Sequence, residues 1–212
     1  MEDSEEGRMP KPRVLLCLTG SVAAVKAPQL AVMLADFAEV KILTTKLSEH
    51  FMERSEAYSP EAYGAFTSLH PPVPVLSDAD EWGVWNAVGD PVLHIQLRDW
   101  ADIMLVAPLS ANSLAKMANG LCDNLVTCVA RAWDFGKRKP FIVAPAMNTH
   151  MWQHPMTEKH LSSLIELGVS VIPPASKLLA CGDKGVGALA EVDEICALVR
   201  RFSKMFPRDD DT

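Results

Sequence analysis

Along the chain, short aliphatic runs alternate with stretches whose apolar positions recur every three to four residues. That rhythm predicts strands alternating with helices, and so an α/β domain with a parallel sheet. Arg13–Thr19 reads as a first strand, buried on both faces because its hydrophobic residues do not alternate with polar ones. Gly20-Ser21 turns the chain into a helix over 22–37, followed by a strand over 40–44. Between 53 and 75 the pattern breaks into mixed Ser, Pro, Gly and Tyr, which predicts a long loop. His94–Leu97 reads as a short extended piece and Ile103–Pro108 as a buried strand.

Ser110 caps a helix that runs to Asn119-Gly120, and a second helix covers about 123–133. Phe141–Pro145 repeats the strand-then-proline pattern. A helix over 157–167 then leads to a strand over 169–172. Gly182, Gly185 and Gly187 mark a loop, and a last helix spans about 192–205. No repeat and no internal linker interrupts this order. The expected fold is α/β: one doubly wound domain of Rossmann-like (flavodoxin-like) type with a parallel sheet, over 11–206.

Composition supports an ordinary globular chain. Of 212 residues, 49% are hydrophobic and 22% charged, enough to build a core without disulfide staples. The formal charge of −7 is concentrated at the ends. Glu2, Asp3, Glu5 and Glu6 stand against Arg8, and Asp209, Asp210 and Asp211 against Arg208. Residues 1–10 and 207–212 are therefore expected to be disordered acidic tails. The near-neutral body has no basic stripe, which argues against nucleic acid. No run approaches the roughly 18 apolar residues of a membrane span, and the first one is too short for a signal peptide. Five cysteines without a CxxC pair favour neither a disulfide framework nor a zinc site. The expected compartment is the cytoplasm, with no membrane partner.

Three strand ends are followed by small polar residues: Thr19-Gly20-Ser21, Ser110-Ala111-Asn112, and Ala146-Met147-Asn148 after Pro145. Each alone can be a helix cap; together they form a rim suited to a phosphate-bearing cofactor. The first turn lacks the spaced glycines of GxGxxG, and no GxxxxGK[ST] occurs, so a dinucleotide site and a P-loop are both excluded. His94, after Asp90-Pro91, is either a general base near this rim or a hydrogen-bonded structural histidine. His150 and His154 are four apart, but Pro155 follows and HExxH is absent, so they read as surface residues and no metal site is expected. Cys181 lies in the glycine-rich segment, whereas Cys17, Cys122, Cys128 and Cys196 read as packing residues. Trp82, Trp85, Trp100, Trp133 and Trp152 read mostly as core or subunit contacts.

Pro145-Ala-Met-Asn-Thr-His-Met-Trp152 fits the PxMNxxMW signature of the homo-oligomeric flavin-containing cysteine decarboxylases, and the chain resembles that family from about 11 to 201. Ala180-Cys-Gly-Asp-Lys-Gly-Val-Gly-Ala188 resembles the family's substrate clamp. Gly89-Asp-Pro-Val-Leu-His-Ile95 resembles its catalytic-histidine segment, and Gly20-Ser-Val-Ala-Ala24 its first flavin-phosphate turn. Asp78-Ala-Asp-Glu-Trp82, Ser110-Ala-Asn112 and Asn119–Leu125 look most like the members that act on phosphopantothenoylcysteine.

The resemblance implies FMN at the subunit contacts of a homotrimer. It also implies a reaction that yields phosphopantetheine on the route to coenzyme A. Thiol oxidation gives a thioaldehyde, the C=S group takes up the electrons as CO2 leaves, and reduced flavin returns them. By the same resemblance His94 acts in the oxidative step and Cys181 donates a proton in the reductive one. Asn148, Met151 and Ala180 contact substrate. Gly20, Ser21, Val22, Ala23, Thr45, Lys46, Ser110, Ala111, Asn112, Ser113 and Ala146 hold the flavin.

The chain departs from its relatives at Leu178, where some carry a basic residue, in the length of 53–75, and at Lys137-Arg138-Lys139. Three alternative readings fit these segments less well. Oxidative decarboxylation of a peptide's C-terminal cysteine needs no thiol such as Cys181. A phosphatase-inhibitory regulatory subunit of the same fold usually carries a long acidic tail. A flavin prenyltransferase lacks the segments around Asn148 and Cys181.

Overall fold

The computed structural model describes residues 10–137, 139–178 and 184–206. The chain opens with strand β1 (Arg13–Leu18), a 3-10 turn (Val22–Lys26) and helix α1 (Ala27–Ala35). The single helix expected over 22–37 is thus divided. Pro28 supplies no N–H, which suits it to the first turn of α1 but not to the middle of a longer helix.

Strand β2 (Glu39–Thr44) leads to α2 (Lys46–Met52), α3 (Ser55–Tyr58) and α4 (Pro60–Thr67). The long loop expected over 53–75 is therefore largely helical. Ser59 caps α4 by accepting from the Ala62 N–H, and Pro60 sits at the first helical position, where its missing N–H costs nothing. The Ser and Pro that read as loop residues are a helix start, and α4 packs on α1.

A two-residue strand β3 (Val75–Leu76) precedes α5 (Asp78–Val84) and α6 (Leu93–Trp100). The extended piece expected at His94–Leu97 lies inside α6. Leu93, Leu97 and Trp100 are spaced four and three apart, and all three pack into one apolar cluster, which selects helix. Then come β4 (Ile103–Leu109), α7 (Ala111–Ala118), α8 (Leu125–Arg131) and β5 (Phe141–Pro145). A four-residue helix α9 (Thr149–Trp152) precedes α10 (Pro155–Glu166) and β6 (Ser170–Val171). Hairpin β7 (Ala175–Leu178)–β8 (Lys184–Ala188) and α11 (Val192–Met205) complete the order.

Six strands form one parallel sheet in the order β3-β2-β1-β4-β5-β6. Without the short edge strand β3, the remaining five have the flavodoxin-like order, reversing between β1 and β4. Val14, Leu16 and Leu18 face one core with Leu30, Leu34, Ile195 and Val199 of α1 and α11. Leu15 and Cys17 face the other, with Leu97, Leu114, Val129 and Leu164 of α6, α7, α8 and α10. The sheet is covered on both sides, so the unbroken apolar run of β1 is explained. Among the described residues no helix is long and apolar enough to cross a membrane.

Candidate active site

The carboxyl ends of β2, β1, β4 and β5, four neighbours in the sheet, gather the residues expected to hold a cofactor. Thr19 joins the two ends at the switch point. Its hydroxyl donates to the Pro108 carbonyl (2.8 Å) and accepts from the Ser110 N–H (2.7 Å). Ser48 plays the same part toward β2: its hydroxyl donates to the Leu18 carbonyl (2.9 Å) and accepts from the Thr45 N–H (2.9 Å). The Ala146 N–H donates to the Leu109 carbonyl (3.0 Å), which ties in β5. Both hydroxyls are buried, so these links set the spacing of the rim.

Each rim segment opens a helical turn whose first N–H groups lack intrahelical partners. Ser21 caps the 3-10 turn that contains Val22 and Ala23, with its hydroxyl accepting from the Ala23 N–H at 3.4 Å. Thr45 and Lys46 begin α2. Ser110 caps α7 by accepting from the Ser113 N–H (3.3 Å), with Ala111 half-buried and Asn112 exposed beside it. Ser113 is buried, and its hydroxyl lies 3.3 Å from that of Ser110, inside the cap. A Cβ on Gly20 would stand 2.8 Å from Cβ of Leu47, so only glycine keeps the first turn tight against α2. Converging helix starts, hydroxyl caps and a glycine turn fit a mononucleotide phosphate with a ring beside it.

Asn148 follows β5. Its Oδ1 caps α9 by accepting from the Met151 N–H (3.0 Å), which leaves the amide N–H groups as its other donors. The β7–β8 hairpin seats on this segment: the Met147 N–H donates to the Gly187 carbonyl (2.8 Å). Gly187 has φ +138°, and a Cβ there would fall 2.2 Å from the Met147 oxygen. At Gly185 a Cβ would fall 2.2 Å from Oγ1 of Thr149. These two glycines, expected in a loop, belong to β8, where they permit close backbone approach. Ala180, Cys181 and Gly182 lie outside the described residues, as do both acidic tails and Arg138. Met151 is exposed beside a hollow of about 360 Å³ that Ala111, His150, His154 and His160 also line.

His94 stands in a separate contact set. Its Nδ1 lies 2.6 Å from Oε1 of Glu81, so α6 and α5 are joined by a short hydrogen bond. Asp78, one turn before Glu81, accepts from the Leu125 N–H (2.7 Å) and ties α5 to the start of α8. Cys128 on α8 has its thiol pushed up to about 11 by burial, by Cys122 and by the carboxylates of Glu81 and Asp78. From sequence, Thr19 was named only as part of the first turn and Glu81 only inside the Asp78–Trp82 motif, each without a role, and Ser48 was not singled out. A polar residue at a strand end was the available signal for Thr19, and the Asp78–Trp82 motif was the signal for Glu81.

Other expectations divide. Cys17 and Cys196 are buried as expected, whereas Cys122 is exposed between α7 and α8, not packed in a helix. His150 and His154 are exposed, and among the described residues no three potential ligands could hold a metal ion. Trp133 is buried, but Trp82 is 77% exposed and Val88 98% exposed.

The family model described as Flavoprotein matches residues 2–204. The chain is 52% identical over 202 residues to a phosphopantothenoylcysteine decarboxylase of Arabidopsis thaliana, covering 95% of this chain and 90% of the relative. Among solved structures, a cysteine-to-serine mutant of PPC decarboxylase complexed with pantothenoylaminoethenethiol superposes with a TM-score of 0.82. Its identity is 52%, over 92% of this chain and all of that one. A structure described as the FMN binding protein AtHal3 gives a TM-score of 0.81 at 51% identity, over 94% of this chain and all of that one.

Proposed function

The chain belongs to the Flavoprotein family, and from that premise we propose how its rim and its histidine work. The protein binds FMN and decarboxylates phosphopantothenoylcysteine to phosphopantetheine, a carboxy-lyase step of coenzyme A biosynthesis. The observation that carries the site assignment is the seating of the β7–β8 hairpin on the Met147–Asn148 segment. It seats β8, which follows the segment holding Cys181 in the chain, at the strand end that bears Asn148.

A carboxylate bound to a saturated carbon holds its CO2 because the carbanion left behind has nowhere to place its electrons. Bound FMN would supply a two-electron acceptor, and in its reduced form a donor, at the substrate's thiol-bearing carbon. Between oxidation and re-reduction the substrate is a thioaldehyde, and CO2 loss leaves an enethiol. Ser21, Thr45, Lys46, Ser110 and Asn112 hold the phosphate and ring edges, with Gly20, Val22, Ala23, Ala111, Ser113 and Ala146 shaping the cradle. Asn148 donates its amide N–H groups to the departing carboxylate, a neutral contact that does not anchor the charge as a salt bridge would. Met151 and Ala180 pack beside the substrate. His94 receives the proton of the oxidative step, and the Cys181 thiol returns one in the reductive step.

His94 lies with α5, α6 and α8, and the rim lies at the strand ends. A homotrimer with FMN at subunit contacts brings the two sets together and covers Trp82 and its apolar neighbours. The compartment we assign is the cytoplasm, where Cys17, Cys122, Cys128 and Cys196 stay reduced. Purified protein incubated with phosphopantothenoylcysteine, followed by mass spectrometry, tests the whole reading. Loss of one CO2 to give phosphopantetheine is expected. Unchanged substrate with flavin confirmed bound would overturn it in favour of a regulatory role.

A further inference from the structure

Glu81 has a buried carboxyl group with a single partner. Oε1 meets Nδ1 of His94 at 2.6 Å, while Oε2 is buried with no hydrogen-bond partner among the described residues. No lysine or arginine among those residues forms a salt bridge with it; its ion-pair partner there is His94, and the Glu81 and Asp78 carboxylates both act on the Cys128 thiol. Cys128 supplies no compensating charge, because a thiol is neutral or, once ionised, negative. A carboxylate placed in this way has one cationic or donor group to satisfy it, and that group is the imidazole.

The placement of Glu81 is also rigid. Asp80 accepts from the Ser77 N–H (2.7 Å) and hydroxyl (2.9 Å), closing the first turn of α5, and Asp78 fastens the same turn to α8. The helix that carries Glu81 is therefore anchored beside His94. A hydrogen bond accepted from Nδ1–H fixes the tautomer and leaves Nε2 as the free basic nitrogen.

We propose that Glu81 is a positioning residue. Its carboxylate holds His94 in the Nδ1–H tautomer, with Nε2 presented as the base, and stabilises the imidazolium that forms when Nε2 takes a proton. No atom is transferred to Glu81: the proton stays on the imidazole, and the carboxylate supplies charge and direction. This rests on the assignment of His94 as the base of the oxidative step, so the test includes a readout independent of turnover.

Protein labelled with 15N-histidine, with FMN bound, is compared with Glu81→Gln, Glu81→Ala and Glu81→Asp. In the parent, the imidazole 15N shifts of His94 are expected to report a protonated Nδ1 and a bare Nε2. Glu81→Ala is expected to shift the population toward the Nε2–H form. For CO2 release, Glu81→Gln and Glu81→Ala are expected to lower kcat by about 10-fold or more, within the roughly 10²–10⁴ that a general base contributes. KM and flavin content stay constant, the acid limb of the pH–rate profile moves, and Glu81→Asp recovers part of the loss. An unchanged tautomer in Glu81→Ala, or unchanged kcat in both Glu81→Gln and Glu81→Ala, overturns the proposal. If the parent itself releases no CO2, the functional reading falls, and the 15N comparison alone decides the pairing.

Discussion

Asn148 uses its carbonyl oxygen to cap α9, so aspartate at this position would keep the cap and replace the amide donors with charge. Asn148→Asp is therefore expected to keep its fold and its flavin. It should lose the contact to the substrate carboxylate, worth about 1.5–3 kcal/mol or roughly 10- to 150-fold in CO2 release. Steady-state assay beside a flavin absorbance spectrum checks this. Cys181→Ser has a different signature: CO2 still leaves, and the product seen by mass spectrometry is the enethiol, two hydrogens lighter than phosphopantetheine. Full turnover by that variant would remove Cys181 from the reductive step.

The buried thiols make a prediction about pH. Cys196 is raised from the ordinary 9.0 to about 12 by burial and the nearby Asp193, and burial drives Cys17 further in the same direction. Above pH 9 the unfolded chain gives up these protons while the folded chain keeps them. The unfolded state then binds fewer protons, and stability falls as pH rises through the interval from about 9 to about 12. Urea midpoints measured at pH values on either side of 9 should decline, and less steeply in Cys196→Ala than in the parent. The cap at Asn148 was legible because its partner, Met151, lies three residues on. Glu81 was not, since it meets His94 across thirteen positions through the packing of α5 on α6.

The elements were legible wherever one periodicity spanned the whole segment, as in β1, β4, β5 and α11. They were misread where punctuation residues served as structure. Ser59-Pro60 looks like a loop and acts as the start of α4. Ser59→Ala should cost about 1 kcal/mol of stability, read as a lower urea midpoint with CO2 release unchanged. Gly187 looks like another loop signal, but its φ and its contact with Met147 make it the seat of the hairpin. Gly187→Ala should impose about 1–3 kcal/mol of local strain. It should lift β8 from the Asn148 segment and lower CO2 release while flavin stays bound. If the variant kept full kcat, the hairpin would have no part in placing Cys181.

At the scale of the molecule, single exposed hydrophobes such as Leu47, Ile165 and Met205 are scattered over the surface, but several stand close together in sequence on and just after α5. Val88 is almost fully open to solvent and Trp82 largely so, with Val84 and Trp85 also exposed. An isolated exposed hydrophobe is ordinary, but two tryptophans on one short helix and the residue after it call for a cover. The same α5 carries Glu81 on a buried side, so the surface and the histidine pair share an element. If that surface is a subunit contact, breaking it should disturb both assembly and cofactor. Trp82→Lys is expected to move the protein from three chain masses to one in analytical ultracentrifugation. Flavin should be lost with the trimer if, as proposed, each cradle is completed by a neighbour. A monomeric variant that retained FMN would place the cofactor within one chain and separate the open apolar surface from flavin binding.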